Sequence, residues 1–340
     1  MGRKLGTVAL FLGAFLVALA ALSKFYMYDR LAVVPLNQDT TSISQTAPGA
    51  DAEYLDVAAG LKIANGPLKN VKVVRGDIEA SKQASDDLDK DIAVWNIYDA
   101  TDTTDFDFSS GETALSATDD TVAFDRNTGE AVAWKGTQST GDGETIEPGD
   151  FEGLYFKFPF DSKKKTYQYW DGTLRKATPA TYIGEGKIKG LKVYKYRQTI
   201  EPIKTGTIDV PGDLVGSDED TVTADRIYSS VTNYNVEPVT GVVIKGETAQ
   251  DSFLELDGER VLTTTKATLG YTDANIAQTV DDYKGKAKLL TLIKTWIPIG
   301  GLVLGLLLIG AGLLTRRGGS GGSQGHRKDV KDDPALAGSR

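Results

Sequence analysis

Apolar and polar positions along this chain follow three rhythms, and each predicts a different kind of element. At the two ends there is no polar interruption: Leu5 to Leu22, LGTVALFLGAFLVALAAL, and Ile297 to Leu314, IPIGGLVLGLLLIGAGLL, each run eighteen residues without a charge. A helix of that length spans about 27 Å, close to the hydrocarbon thickness of a bilayer. Between them, VKVVRGDIEA from Val71 and DIAVWNIYDA from Asp91 alternate apolar with polar side chains, the period of a strand with one buried face. KIKGLKVYKYRQTI and ERVLTTTKATLGY continue that period. From Thr272 it changes again. Ile276, Val280, Tyr283, Ala287, Leu290 and Ile293 recur at spacings of three and four behind a capping Thr272 or Asp273. This predicts an amphipathic helix leading into the second apolar run.

Turn signals punctuate the strand region. VAFDRNTGEAVAW (Val122 to Trp134) and YNVEPVTGVVIKG (Tyr234 to Gly246) both place Thr-Gly between β-branched or aromatic arms, where glycine supplies the positive φ of a hairpin. About ten strands can be counted in this way. The expected fold is mainly β: an antiparallel β-barrel or sandwich between two terminal transmembrane helices, with a juxtamembrane helix. The expected divisions are a transmembrane helix over 1–22, a polar connector over 23–49 and the β domain over 50–271. The juxtamembrane helix then covers 272–296, the second transmembrane helix 297–315, and a disordered Gly- and Ser-rich tail 316–340.

Charge sets the expected orientation. Arg3 and Lys4 precede the first apolar run and Arg316 and Arg317 follow the second. The positive-inside rule then makes this a two-pass membrane protein, both termini cytoplasmic and the central domain extracytoplasmic. The alternative for the first run is a cleaved leader ending near Ala18 to Ala20; Phe25, Tyr26 and Tyr28 instead suit an interfacial belt. Ala9 with Gly13, Ala14 with Ala18 and Gly301 with Gly305 are small-residue pairs through which the helices are expected to approach. From Ser23 to Trp296 there are 30 basic against 44 acidic residues, a balance that excludes nucleic acid as a partner.

Candidate chemistry is sparse. There is no cysteine, and the single histidine, His326, lies in the tail. Thiol and imidazole chemistry are thereby removed from the β domain, and the chain is read as a non-enzyme with no catalytic residue, metal or cofactor. DFDFSSGE from Asp105 and GSDED from Gly216 lack the spacing of a calcium loop and read as solvated loops. GEGKIKG from Gly184 reads as a turn between strands. What stands out is FEGLYFKFPFDSKKKTYQYWD from Phe151, with eight aromatic residues in its first twenty positions. An extended strand puts Phe156, Phe158 and Phe160 on one face, and Tyr167 and Tyr169 repeat the arrangement after the basic turn, with Trp170 beside them. Such an aromatic hairpin fills a core or walls an apolar cavity, so these six residues are the candidate ligand-binding set.

FYMYDRLAVVPLNQDTT after the first apolar run, ATDDTVAFDRNTGEAV, EGLYFKFPFDSKKKTYQYWDGTLRKATPATY and the final apolar segment with its basic end resemble the actinobacterial two-pass membrane proteins of the PorA (porin-like) family. The resemblance extends through Arg317 and implies an envelope protein of a high-GC Gram-positive bacterium. The two-anchor topology also resembles that of the eukaryotic class B scavenger receptors. Together these suggest that the β domain binds or conveys a hydrophobic envelope molecule. The alternatives are a structural or interaction protein of the envelope and a porin-type channel. The expected partners are membrane lipids and other envelope proteins.

Overall fold

The computed structural model describes residues 2–57, 59–141, 144–145 and 151–317. The tail expected over 316–340, with His326, lies outside these beyond Arg317. In chain order the protein begins with helix α1 (Gly2–Leu22), a π-helical turn (Ser23–Met27) and the short helix α2 (Tyr28–Leu31). Strands β1 (Asp39–Gln45), β2 (Ala52–Asp56), β3 (Lys62–Gly66) and β4 (Leu68–Asp77) follow, then helix α3 (Ile78–Leu88). Next come β5 (Ile92–Thr103), β6 (Ser116–Asp125), β7 (Gln138–Gly141), β8 (Glu144–Thr145) and β9 (Tyr167–Asp171). The long strands are β10 (Lys176–Ile188), β11 (Leu191–Pro211), β12 (Thr221–Val236), β13 (Val243–Leu256) and β14 (Glu259–Tyr271). Helix α4 (Asp273–Thr291), a second π-helical turn (Leu292–Trp296) and α5 (Ile297–Arg317) complete the chain.

Two compact units result, residues 1–27 with 292–340 and residues 28–291. In the first, α1 and α5 run antiparallel through contacting glycines. A Cβ on Gly13 would meet the Gly305 carbonyl oxygen at 2.6 Å, and one on Gly312 would meet that of Gly6 at 2.7 Å. Gly301 faces Ala20 in the same way. The contact spacing along α1 is therefore seven residues, Gly6, Gly13 and Ala20, the period of a left-handed pair. The four-residue spacing expected through Ala14 and Ala18 is not used, and both of these are exposed. Ser23 Oγ closes one end by donating to the Ile293 carbonyl at 2.7 Å. The helical stretches Lys4–Leu31 and Asp273–Arg316 each contain a window long and apolar enough to cross a membrane.

The second unit is one antiparallel sheet rather than a sandwich, ordered β8-β7-β6-β5-β4-β1-β14-β13-β12-β11-β10-β9, with β2 and β3 attached beside β14. It curls into a half-barrel. Segment 39–45, expected within a connector, supplies β1 and sits between β4 and β14. Both Thr-Gly turns form as the sequence indicates, and they are built alike. Gly129 N–H donates to Asp125 O and Gly241 N–H to Glu237 O, each at 2.8 Å, with the glycines at φ 79° and 76°. In each turn the carboxylate that opens it accepts from backbone N–H groups further on: Asp125 from Asn127 and Thr128, Glu237 from Val239 and Thr240. Outside the curl, α3 covers Ile92, Val94 and Ala123, and α4 buries Ile276 and Val280 against Val193 and Ile244. The Thr272 hydroxyl caps α4 by accepting from Asn275 N–H.

Candidate functional site

The aromatic stretch is not a hairpin of two strands. Residues 151–166 have no extended run, because Gly153 at φ 65°, Pro159 and Asp161 at φ 55° turn the chain repeatedly. Instead they form a strap across the open side of the half-barrel. Ala131 N–H donates to Gly153 O on one side, while Leu154 N–H donates to Gln168 O and Trp170 N–H to Leu154 O on the other. Further along, Phe158 N–H donates to Gly241 O at 2.9 Å, and Asp161 and Ser162 donate to the Val239 and Pro238 carbonyls. The strap is thus tied to both Thr-Gly hairpins and to β9.

Its rings point inward but do not share one face. Phe158 is fully buried and stacks on Tyr196 at 4.4 Å between centroids, with Tyr167 and Tyr169 closing around it. Phe156 is half-buried between Trp95 and Phe124, both 4.8 Å away. Trp170 packs on Phe151, and half-buried Phe160 lies against the cluster of Val34, Trp95 and Phe124. Lys157 places its ammonium nitrogen 3.8 Å above the Phe160 ring, buried and without a hydrogen-bond partner among the described residues. That burial pulls its pKa from 10.5 down to about 7, against the opposing influence of Glu237.

Beneath the strap the inward side of the sheet changes character along each strand. Side chains two apart share a face. On β6 the inward series is Phe124, Val122, Asp120; on β5 it is Trp95, Ile97, Asp99; on β4 it is Val74, Lys72, Asn70. Apolar positions thus give way to charged and amide groups on three neighbouring strands, Lys72 opposite Asp99 and Asp120 one inward position earlier, opposite Ile97. Lys72 Nζ lies 2.8 Å from Asp99 Oδ2. Asn70 Nδ2 donates to Asp99 Oδ1 and to Thr101 Oγ1. Asp120 accepts from the Ser139 hydroxyl and from the Tyr155 phenol of the strap. Across the barrel, buried Gln198 donates to Tyr169 O and Thr178 Oγ1 and accepts from the Tyr234 phenol at 2.7 Å.

Electrostatics ties these groups together. The Asp99 carboxylate beside Lys72 raises the lysine pKa, outweighing a burial that opposes its charge. Tyr155 is pushed well up by burial and then by Asp120, and Tyr271 by burial with Lys72 pulling the other way. The phenols therefore stay neutral donors around a fixed ion pair. The pair is partly open: 40% of the Lys72 side chain and 26% of that of Asp99 are accessible.

Lys195, Arg197, Thr199 and Glu201 are exposed along β11, and Ile203 and Ile208 are exposed further along the same strand. Among the described residues, the helical stretches long and apolar enough to cross a membrane are those that contain α1 and α5.

Comparison with known proteins adds the family. A family model described as Porin PorA matches residues 5–314, from within α1 to within α5. The chain belongs to the Porin PorA family. A Porin PorA of Corynebacterium amycolatum is 22% identical over 299 residues, covering 72% of this chain and 76% of that one. Another, of Corynebacterium resistens, is 29% identical over 136 residues, 36% of this chain and 33% of its own. Membership in the PorA family places the chain in a membrane or envelope, in keeping with its two apolar helices.

Of the residues that carry the PorA-family interior, the sequence singled out the aromatic set. It missed Lys72, Asp99, Asp120, Gln198 and Lys157. Their signal is slight: a single polar side chain at an inward register, such as Lys72 between Val71 and Val73, looks the same as an outward one until the register is known.

Proposed function

We propose that this PorA-family chain is a membrane-anchored envelope protein whose half-barrel holds a hydrated compartment, with both termini cytoplasmic, and that the compartment binds and passes small charged or polar solutes. The carrying observation is the partly accessible Lys72–Asp99 pair on the inward side of the sheet, among phenol, amide and carboxylate groups. A fixed pair of opposite charges gives a charged solute partners of either sign, while neutral phenols offer donors without adding charge. This agrees with the porin description that the relatives bear, and it makes the chain a conveyor rather than an enzyme. The test is solute-dependent current across planar bilayers containing the purified full chain. The expected result is a conductance whose cation-to-anion preference reverses between Lys72→Glu and Asp99→Lys. A channel indifferent to both changes, or none at all, would remove the compartment from the path.

A second reading rests on the half-buried rings of Phe156 and Phe160: a hydrophobic envelope molecule held among Phe156, Phe158, Phe160, Tyr167, Tyr169 and Trp170. Mass spectrometry of lipid co-purifying with the full chain separates the two. A stoichiometric lipid lost on Phe156→Asp, in a variant that melts normally, supports this reading; preparations free of lipid leave the rings as core.

A further inference from the structure

The region between the apolar runs is acidic, with 30 basic against 44 acidic residues from Ser23 to Trp296, yet one rim of the half-barrel reverses that sign. Lys163, Lys164 and Lys165 occupy the turn before β9, and Lys187, Lys189 and Lys192 occupy the β10–β11 hairpin; all six are exposed. The two stretches are neighbours, since Lys164 and Lys192 share Glu185 at 3.1 and 3.2 Å. Lys163 pairs with Asp161. Three of the six cations share two carboxylates in these pairings. The rim is also rigidly held, because the Tyr196 phenol donates to Lys163 O and Lys163 N–H donates to the Tyr167 phenol oxygen.

The position of this rim within the β unit matters. The two places where the unit continues in sequence toward the apolar helices are Tyr28 and the end of α4. Tyr28 lies within electrostatic reach of Asp161 and Lys163. Helix α4 packs Ile276 and Val280, in its first half and away from that end, beside Ile188 and Leu191 of the hairpin that carries Lys187, Lys189 and Lys192. Phe160, just before the first lysine stretch, packs against the cluster that holds Val34, soon after Tyr28. We propose that this lysine rim docks on an anionic phospholipid surface. Lysines on long flexible stems suit a diffuse layer of headgroup phosphates better than one bidentate site does, and clustered basic residues in a membrane-anchored chain gain most from such a surface.

The absence of cysteine allows a single reporter: Thr166→Cys, labelled with an environment-sensitive fluorophore in the full chain, reconstituted in lipid nanodiscs. Quenching by headgroup-spin-labelled lipid is compared between phosphatidylcholine discs and discs that also contain phosphatidylglycerol. The expected result is at least about threefold stronger quenching in the anionic discs, falling to the neutral-disc level at roughly 0.5 M salt. Changing Lys163, Lys164 and Lys165 together to Gln should have the same effect as salt. Equal quenching in the two kinds of disc overturns the proposal, and this comparison needs no lysine variant to fold. Anionic-disc quenching that survives high salt, or survives in a normally melting triple variant, overturns it as well.

Discussion

At the scale of single residues, the two Thr-Gly turns offer a controlled comparison. Gly129 and Gly241 have nearly the same φ, so Ala at either costs about 1–2 kcal/mol for the left-handed backbone alone. Their surroundings differ. A Cβ on Gly129 meets Lys157 O at 3.4 Å, whereas one on Gly241 would fall 1.9 Å from Phe158 O. Gly241→Ala should therefore displace the strap and lower the melting temperature several-fold more than Gly129→Ala, as thermal unfolding in detergent would show. Lys157 gives a pH signature. Its folded pKa, near 7, lies below the 10.5 of a solvated lysine. Between these values the unfolded chain holds a proton that the folded chain has released, so stability rises with pH across that window and is reduced below it. The slope from this group is at most about 1.4 kcal/mol per pH unit. Lys157→Met should raise the melting temperature near pH 7 and flatten its climb toward pH 10. An unchanged pH profile in that variant would show that the amine keeps its proton in the fold.

At the scale of elements, sequence periodicity succeeded where one face decided the outcome. The residues spaced three and four apart after Thr272 became α4, with Ile276, Val280, Ala287 and Leu290 buried as their spacing required. The Thr-Gly hairpins were legible because glycine at positive φ is a local requirement. The aromatic stretch was misread because alternation of Phe with other residues mimics a strand, while Gly153 and Asp161 take φ values that no strand has. Of the small residues at fours, Gly301 with Gly305 does lie at the α1–α5 contact, whereas Ala14 with Ala18 does not, because only facing partners choose between the several spacings present. The observed choice is testable. Ala20 and Gly301 bring their Cβ positions to 3.1 Å, near the separation that a disulfide needs. Ala20→Cys with Gly301→Cys should cross-link in full on oxidation, and adding Gly13→Leu should greatly reduce the yield on a reducing-sensitive gel shift.

At the scale of the whole molecule, the mainly β class was visible in the chain but the single curled sheet was not, because strand order depends on partners far apart in sequence. The same holds for the polar layer. Lys72, Asp99 and Asp120 lie on three strands and become a group only once register sets Lys72 opposite Asp99 and Asp120 opposite the adjacent Ile97. The register also has a kinetic meaning. Apart from β1 and from β2, which also pairs with β14, neighbours in the sheet are neighbours in sequence, in two meanders, β4 to β8 and β9 to β14. Strand β1 joins them, with seven paired positions on β4 and only two, Ser44 with Tyr271 and Gln45 with Gly270, on β14. Each meander can form from local hairpins as it is synthesised, but the seam between them requires a residue near the beginning of the chain to find one more than two hundred positions later. Closure of such a long loop late in synthesis is the slow, entropy-limited event of folding. Until β14 is made, the half-finished sheet carries an open edge on β1, and during that interval the nascent protein is most exposed to mispairing with other chains.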